Sequence, residues 1–202
     1  KSHLKRLAAP KTWNVIRKSV TFITKPSAGP HSLKASMPLN TLLKEVLNYA
    51  STTRETKKIL NENAVKIDGK FIKNFRHPVG IFDVVEFPSI NEYFRVIFNR
   101  NGMIQVIKIG KKEASMKPCK IIGKTMARGK LQLNLYDGKN LIADADGYKV
   151  NDTVMLSVPE QKISKHLKLN KKSAIFLTGG NHIGEIGNVE DIVKDKIIYK
   201  NS

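Results

Sequence analysis

The chain has 202 residues, of which 36 are Lys or Arg and 17 are Asp or Glu, so its formal net charge is +19 at pH 7. A net positive charge of this size favours a polyanionic partner, most often nucleic acid. No stretch approaches the roughly 20 apolar residues of a membrane-spanning helix, and residues 1–10 lack the apolar run of a signal peptide. We therefore predict a cytoplasmic, nucleic-acid-binding protein with no membrane partner.

Cys119 is the single cysteine, which excludes an intramolecular disulfide and a site of several thiolates. A buried, unreactive thiol is expected there. The five histidines show no metal-ligand spacing, so we predict neither a metal nor a cofactor. The sequence contains no recognisable Ser–His–Asp set or pair of catalytic carboxylates, so we predict that the chain is not an enzyme and has no small-molecule substrate.

The first part of the chain is a predicted basic arm. Residues 1–44 contain no Asp or Glu, and the first carboxylate is that of Glu45. Residues 24–38 contain three prolines and a glycine, which oppose a continuous helix or strand. Apolar side chains at 13–23, including Trp13, predict that part of the arm packs on the body of the protein.

A first helix is predicted from Leu39 to Ala50, directly after Pro38. Apolar residues at positions 39, 42, 43, 46, 47 and 50 recur with the spacing of an amphipathic helix. One face of this helix is therefore expected to be buried.

A second helix is predicted to begin at Thr52, because Glu55 follows at the spacing of a capping box. Arg54, Lys57 and Lys58 lie at positions i, i+3 and i+4 and therefore share one helical face. This face is predicted to contact phosphates.

A tight hairpin is predicted at Asp68-Gly69, since this pair interrupts alternating apolar residues at 65–72. A further strand is predicted at 83–87. Two helices and a small sheet make a compact module in which several cations can face one surface. These cations are Arg54, Lys57, Lys58, Lys70, Lys73 and Arg76.

From residue 91 the apolar residues alternate with a period of two, which is typical of strands. Segments 94–98 and 103–108 flank Asn101-Gly102, and segments 131–135 and 141–143 flank Asp137-Gly138. With a further strand at 149–156, this pattern favours a small β-barrel or sandwich.

The C-terminal segment is predicted to contain a strand, a glycine loop and two further strands. Apolar runs at 174–177 and 196–199 enclose a stretch with glycines at 179, 180, 184 and 187. Glycine permits positive φ and close backbone approach, which suits a tightly curled barrel or a loop against RNA.

Blocks along nearly the whole chain resemble the archaeal and eukaryotic small-subunit ribosomal protein family S-four-e, archaeal type. They are HLKRLAAPKTW (3–13), KPSAGPHSL (25–33), PL (38–39), RETKKI with VKIDGK (54–70), PVGIFDVVE (78–86), KLQLNLYDGKN (130–140) and TGGNHIGEIG (178–187). Several blocks in the same order are more specific than any one block.

The resemblance implies an α+β multi-domain fold. Its parts are a basic N-terminal arm at 1–36, a small S-four-type α/β RNA-binding domain at 37–90, a central β-barrel-like domain at 91–161 and an SH3-like (KOW) β-barrel at 162–202. One departure is Phe82-Asp83, where many S-four-type domains carry Gly-Asp. Family members usually start with Met and continue past the KOW segment, so we expect a chain trimmed at Lys1 and either ending early or lacking a tail after Ser202.

The resemblance also implies a function: a structural constituent of the small ribosomal subunit that binds 16S-type ribosomal RNA, touches neighbouring ribosomal proteins and supports translation. The predicted RNA-binding residues are Lys1, His3, Lys5, Arg6, Lys11, Arg17, Lys18, Lys25, His31, Lys34, Arg54, Lys57, Lys58, Lys66, Lys70, Lys73, Arg76, Asn181 and His182. The predicted structural turn residues are Asp68, Gly69, Gly180, Gly184 and Gly187.

Two other classes of function remain open from the sequence. S-four-type domains also occur in RNA-modifying enzymes such as pseudouridine synthases, which need a sizeable catalytic domain with an active-site Asp. KOW domains also occur in transcription and translation factors that bind RNA transiently. Such a factor would leave ribosomes in a high-salt wash, whereas an integral ribosomal protein would remain.

Overall fold

The computed structural model describes residues 3–127, 129–143, 147–193 and 196–201. Within these ranges the chain is mostly β-strand with a few short helices, and its strands form five antiparallel sheets. The predicted mixture of helices and strands is confirmed. None of the helices in the described ranges is long and apolar enough to cross a membrane.

The N-terminal arm packs on the body, as predicted. Strands β1 (Leu4–Lys5) and β2 (Phe22–Ile23) pair with each other and enclose a 3₁₀ turn at Arg6–Ala8. The indole of Trp13 is 2% exposed and donates a hydrogen bond of 2.6 Å to the carbonyl oxygen of Ser36. Burial of an aromatic side chain with its polar N–H satisfied anchors the arm to the core.

The first helix is shorter than predicted. Strand β3 (Ser36–Pro38) leads into α1 (Leu39–Thr41), which continues as a π-helical turn at Leu42–Val46. The leucines of both segments are fully buried, so the predicted apolar face is confirmed. The helix ends before residue 50 because Asn48 adopts a φ of 56°, a left-handed conformation that stops a right-handed helix.

Helix α2 (Thr53–Asn61) begins where the capping box predicts. The Thr52 hydroxyl accepts a hydrogen bond of 3.2 Å from the Glu55 backbone N–H, and the Glu55 carboxylate accepts one of 3.4 Å from the Thr52 N–H. Leu60 is fully buried, so the helix packs on the core through one face and leaves its basic face outward.

The main sheet has the strand order β5-β4-β7-β8-β9, and a separate two-stranded sheet pairs β3 with β6 (Pro78–Gly80). The strands of the main sheet are β4 (Lys66–Ile67), β5 (Lys70–Phe71), β7 (Val84–Phe87), β8 (Glu92–Phe98) and β9 (Ile104–Lys108). Its hairpin at Asp68-Gly69 is confirmed, with φ of 48° and 73° at the two turn residues. Strands from both sides of residue 90 share this sheet, and they also share one hydrophobic core with the arm and α2.

The second large sheet follows α3 (Lys111–Ala114) and has the order β12-β11-β10-β13-β14. Its strands are β10 (Met116–Ala127), β11 (Lys130–Leu135), β12 (Asn140–Ala143), β13 (Thr153–Ser157) and β14 (Ile163–Leu167). The first half of β10 pairs with β13 and the second half with β11, so the sheet curls around its own small core. The predicted turn before β12 is present, with Gly138 at a φ of 73°.

Cys119 lies in that core and is 3% exposed. Burial, together with the nearby Asp137 carboxylate, raises the pKa of the thiol to about 12. Because the thiolate is the nucleophile, we expect the native protein to react with Ellman's reagent far more slowly than the urea-unfolded protein, which should titrate one thiol per chain. Rapid native reaction at neutral pH would contradict this burial.

The C-terminal sheet consists of β15 (Ala174–Phe176), β16 (Ile186–Val193) and β17 (Lys196–Asn201). The glycine loop between β15 and β16 packs on the turn between β8 and β9. A Cβ atom on Gly184 would lie 1.9 Å from the carbonyl oxygen of Asn99, and Gly184 has a φ of 87°. Glycine is therefore required here both for close approach and for backbone conformation.

Candidate nucleic-acid interface

The outward face of α2 carries the three cations that the sequence grouped together. Arg54, Lys57 and Lys58 are all exposed. The ammonium of Lys57 lies 4.8 Å from the ring centroid of Phe75, which places the face of the helix against the loop that follows β5.

The β4–β5 hairpin extends this charge. Lys70 and Lys73 are exposed, and the ammonium of Lys66 lies 4.7 Å from the ring centroid of its cross-strand partner Phe71. Phe71 itself is 52% exposed. An aromatic ring is therefore open to solvent among lysines.

The arm reaches the same region. The Arg76 Nε donates a hydrogen bond of 2.9 Å to the Lys25 carbonyl oxygen, and the Ser27 N–H donates one of 2.8 Å to the Arg76 carbonyl. These bonds hold the arm along the loop after β5. We call the resulting set the basic surface; it comprises Lys25, Arg54, Lys57, Lys58, Lys66, Lys70, Lys73 and Arg76.

Other predicted RNA-binding residues are exposed elsewhere on the chain. On the arm these are His3, Lys5, Lys11, Lys18 and Lys34, and on the glycine loop they are Asn181 and His182. His182 Nδ1 lies 2.9 Å from a Glu185 carboxylate oxygen, and Gly180 has a φ of 88° in the same loop. The prediction that Gly187 is a turn residue is wrong: it lies within β16 and is buried against the backbone of Lys200, so it serves sheet packing. Lys1 lies outside the described residues.

Arg6 and His31 require a correction, because both side chains are enclosed and paired within the protein. Arg6 is 6% exposed, and its guanidinium donates two hydrogen bonds, of 2.8 and 2.5 Å, to the Glu45 carboxylate. His31 is 9% exposed and its Nε2 lies 3.0 Å from the Asp83 Oδ1 atom. Sequence reasoning assigned them to RNA because the arm contains no acid, whereas their partners come from the body.

Arg17 also serves the arm itself. Its guanidinium donates hydrogen bonds of 2.9 Å to the carbonyl oxygens of Ala9 and Pro10. These bonds close the loop between β1 and β2, so the shape of the arm depends on Arg17.

A buried ionic cluster joins the basic surface to the second large sheet. Lys117, on β10, is 1% exposed. Its ammonium lies 2.5 Å from an oxygen of Asp83, 2.6 Å from one of Asp68 and 3.2 Å from one of Asp137. The partly exposed Lys139 also bridges Asp68 at 3.0 Å and Asp137 at 3.1 Å.

Charges in this cluster stabilise one another. Burial alone would lower the pKa of Lys117, but Asp83, Asp68 and Asp137 outweigh it and raise that pKa above its ordinary value. Burial would likewise raise the pKa of Asp83, but Lys117 and the hydrogen bond with His31 hold it well below its usual range. The Lys117 and Lys139 charges also lower the pKa of Asp137 against its burial.

The cluster fixes the β4–β5 hairpin. Asp68 is the first turn residue of this hairpin, and its Oδ1 also accepts a hydrogen bond of 3.1 Å from the Val84 N–H. Lys117 and Lys139 therefore connect the turn of the β4–β5 hairpin to the second large sheet.

Beside these two lysines is a cavity of about 120 Å³ whose lining includes His31 and His77. No group of three or more His, Cys, Asp or Glu in the described ranges is arranged to hold a metal ion.

Sequence reasoning missed this cluster, although β10 contains a signal for it. Lys117, Cys119 and Ile121 alternate along one strand and all point inward. Alternate residues of a strand share one face, so Lys117 is expected to face inward with Cys119 and Ile121. A lysine buried in this way requires acidic partners.

The depressed carboxyl pKa values predict an acid limit to stability. Because the folded pKa values of Asp83 and Asp137 lie below the ordinary 3.8, their contribution to stability is present above that pH and is lost as pH falls through the folded values. We expect the urea midpoint to fall steeply below about pH 4. A variant with both residues changed to Asn should show a shallower dependence; equal dependence would contradict the assignment.

Comparison with known proteins agrees with this architecture. The Ribosomal family S4e model matches residues 90–163, and the RS4NT (NUC023) domain model matches residues 1–34. The small ribosomal subunit protein eS4 of Methanosphaera stadtmanae is 45% identical over 193 residues, which are 95% of this chain and 80% of that protein. The chain belongs to the eS4 family.

Further relatives give the same result. The eS4 protein of Methanocella arvoryzae is 44% identical over 95% of this chain and 81% of its own length. The crystal structure of the 30S ribosomal protein S4e from Thermoplasma acidophilum matches with a TM-score of 0.72 and 32% identity, covering 82% of this chain and 88% of that one. The eS4 resemblance drawn from the sequence blocks is thus confirmed.

Proposed function

We propose that this chain is a structural constituent of the small ribosomal subunit that binds ribosomal RNA and has no catalytic role. The observation that carries the proposal is its 45% identity over 95% of the chain to a protein named as a small ribosomal subunit protein. The eS4 family is a ribosomal protein family, and the chain accordingly resides with ribosomes in the cytoplasm.

The basic surface supports RNA as the partner. Its cations come from the arm, α2, the β4–β5 hairpin and the loop after β5, and Arg54, Lys57, Lys58, Lys70 and Lys73 are exposed. Contacts of Lys and Arg with phosphate position a protein on folded RNA without reading its sequence. The exposed arm residues and Asn181 and His182 extend the contacts to neighbouring RNA and ribosomal proteins.

The domain assignment is part of this proposal. The predicted parts are the arm at 1–36, the S-four-type RNA-binding domain at 37–90, the central β domain at 91–161 and the SH3-like KOW domain at 162–202. Two of these boundaries need adjustment, because β8 and β9 belong to the main sheet and β14 belongs to the second large sheet. We therefore propose that the second part extends through β9 and the third through β14. Strands β15, β16 and β17, which form a sheet of their own, fit such a barrel together with the glycine loop.

The proposal is tested by the salt dependence of RNA binding. The full chain is titrated by filter binding onto transcribed small-subunit ribosomal RNA between about 50 and 400 mM KCl. If about ten phosphates are engaged, the log–log slope of affinity against salt should be roughly −7 to −9. A flat response would exclude phosphate contacts as the source of affinity.

A further inference from the structure

Phe71 differs from the other residues of the β4–β5 hairpin because it is a large aromatic side chain that is half exposed and lies against a lysine ammonium. It lies on β5, one of the two edge strands of the main sheet, and is 52% exposed. Its chain neighbours are Lys70 and the core-packed Ile72. The fold uses Ile72 for packing and leaves the ring of Phe71 outside.

The surroundings of Phe71 carry positive charge. The Lys66 ammonium sits 4.7 Å from the ring centroid, and Lys70 and Lys73 flank it along the chain. An exposed apolar ring among ammonium groups is unsuited to an apolar protein partner, because docking would desolvate those charges. It suits a ligand that combines a flat π-system with phosphates.

The hairpin that carries the ring is also held in place. It has two residues at positive φ, and the first of them, Asp68, is paired with the buried Lys117 and with Lys139. An aromatic ring on a fixed backbone loses less conformational freedom when a base stacks on it than one on a mobile loop. Rigid aromatic side chains beside cations are the arrangement that binds unstacked bases in RNA.

We propose that Phe71 stacks on an unpaired base of the bound RNA while Lys66, Lys70 and Lys73 contact the phosphates around it. The ligand class is therefore an extruded or looped nucleotide rather than a continuous duplex. This inference rests on the proposed function, since it names the RNA feature that the basic surface takes.

The test compares Phe71→Ala, Phe71→Leu and Phe71→Trp with the unchanged chain on transcribed small-subunit ribosomal RNA. Stacking is neutral in charge, so Ala and Leu should each weaken binding by about tenfold or more while the salt slope stays the same. The Phe71→Trp variant should retain affinity. Thermal melting of each free variant checks that the fold is intact.

The Phe71→Trp variant also reports stacking directly. Trp13 is the only natural tryptophan and is 2% exposed, so it supplies a constant background. We expect the fluorescence of the introduced indole to be quenched on RNA binding. Ile142→Ala, a truncation at a 63% exposed site on β12, is the matched control and should bind as the unchanged chain does.

Several results would overturn the proposal. One is a Phe71→Ala variant that binds RNA as well as the unchanged chain does. Another is full affinity in Phe71→Leu, which would indicate an apolar contact instead of stacking. An equal loss of affinity for a fully paired RNA duplex would exclude an unpaired base.

Two further results separate this proposal from others. If Phe71→Ala binds free RNA normally but is lost from assembled subunits, the ring docks on a ribosomal protein and the stacking proposal is wrong. If the unchanged chain itself fails to bind RNA, the proposed function fails, and the stacking proposal fails with it.

Discussion

Replacing Lys117 with Met is expected to lower the free energy of unfolding by about 3–5 kcal/mol, because it removes a buried ammonium and leaves the buried Asp83 carboxylate without its closest cation. Asp83 would lose its closest partner, at 2.5 Å, in a site where its own side chain is only 2% exposed. Urea unfolding followed by circular dichroism measures the change.

The matched control for this variant is Lys120→Met. Lys120 is on the same strand and is exposed, so its replacement should change the free energy of unfolding by no more than about 0.5 kcal/mol. A Lys117→Met variant as stable as Lys120→Met would show that the cluster does not hold the sheets together.

A double variant separates charge from packing. Lys117→Met combined with Asp83→Asn leaves Asp68 and Asp137 paired with Lys139. Its destabilisation should be smaller than the sum of the two single changes, with a coupling of about 0.5–3 kcal/mol. Strict additivity would contradict a direct ionic interaction.

Replacing Arg54, Lys57 and Lys58 together with Ala is expected to weaken RNA binding by about 100-fold at 0.1 M salt and to reduce the salt slope by about three, because each contact with phosphate contributes nearly one unit of slope. The fold should survive, since all three side chains are exposed on α2. Filter binding across a salt series measures both quantities.

A control variant separates the effect of contacts at α2 from the effect of lower net charge. A triple Ala variant at Lys111, Lys112 and Lys120 removes the same charge from exposed positions outside the basic surface. This control should keep nearly the full slope of log affinity against log salt concentration. Equal losses in the two triple variants would mean that RNA responds to the overall field rather than to contacts at α2.

Sequence patterns predicted the parts of the fold that depend on interactions between residues close together in the chain. The capping box at Thr52 and Glu55 and the Asp68-Gly69 hairpin depend on residues within a few positions of each other, and both are present. Most of the period-two segments after residue 91 also became strands, because alternation reflects burial of one sheet face. The strand predicted at 149–156 is shorter than expected and begins at Thr153, since Asn151 adopts a φ of 76°.

Tertiary pairing could not be predicted in the same way. Arg6 and His31 were expected to face RNA, yet their carboxylate partners Glu45 and Asp83 lie 39 and 52 residues away along the chain. Lys117 meets Asp68 across a separation of 49 residues. Which cations remain available for a ligand therefore depends on contacts between distant segments.

Phe82 shows the limit of reasoning from residue type. The family resemblance predicted Gly at this position, but the residue is Phe, and its φ is 67°, a value that a Phe side chain rarely adopts. The centroid of its ring lies 5.5 Å from that of Phe176 on β15, in an edge-on arrangement. Packing against the C-terminal sheet holds a backbone conformation that the residue itself disfavours.

Quantitative mass spectrometry of small ribosomal subunits tests the central claim most directly. The subunits are purified through a high-salt sucrose cushion from the organism that encodes this chain, and its copy number is compared with those of other small-subunit proteins. We predict one copy per subunit after the high-salt step. Absence or clearly lower recovery would contradict a structural role and indicate a factor that binds ribosomes transiently.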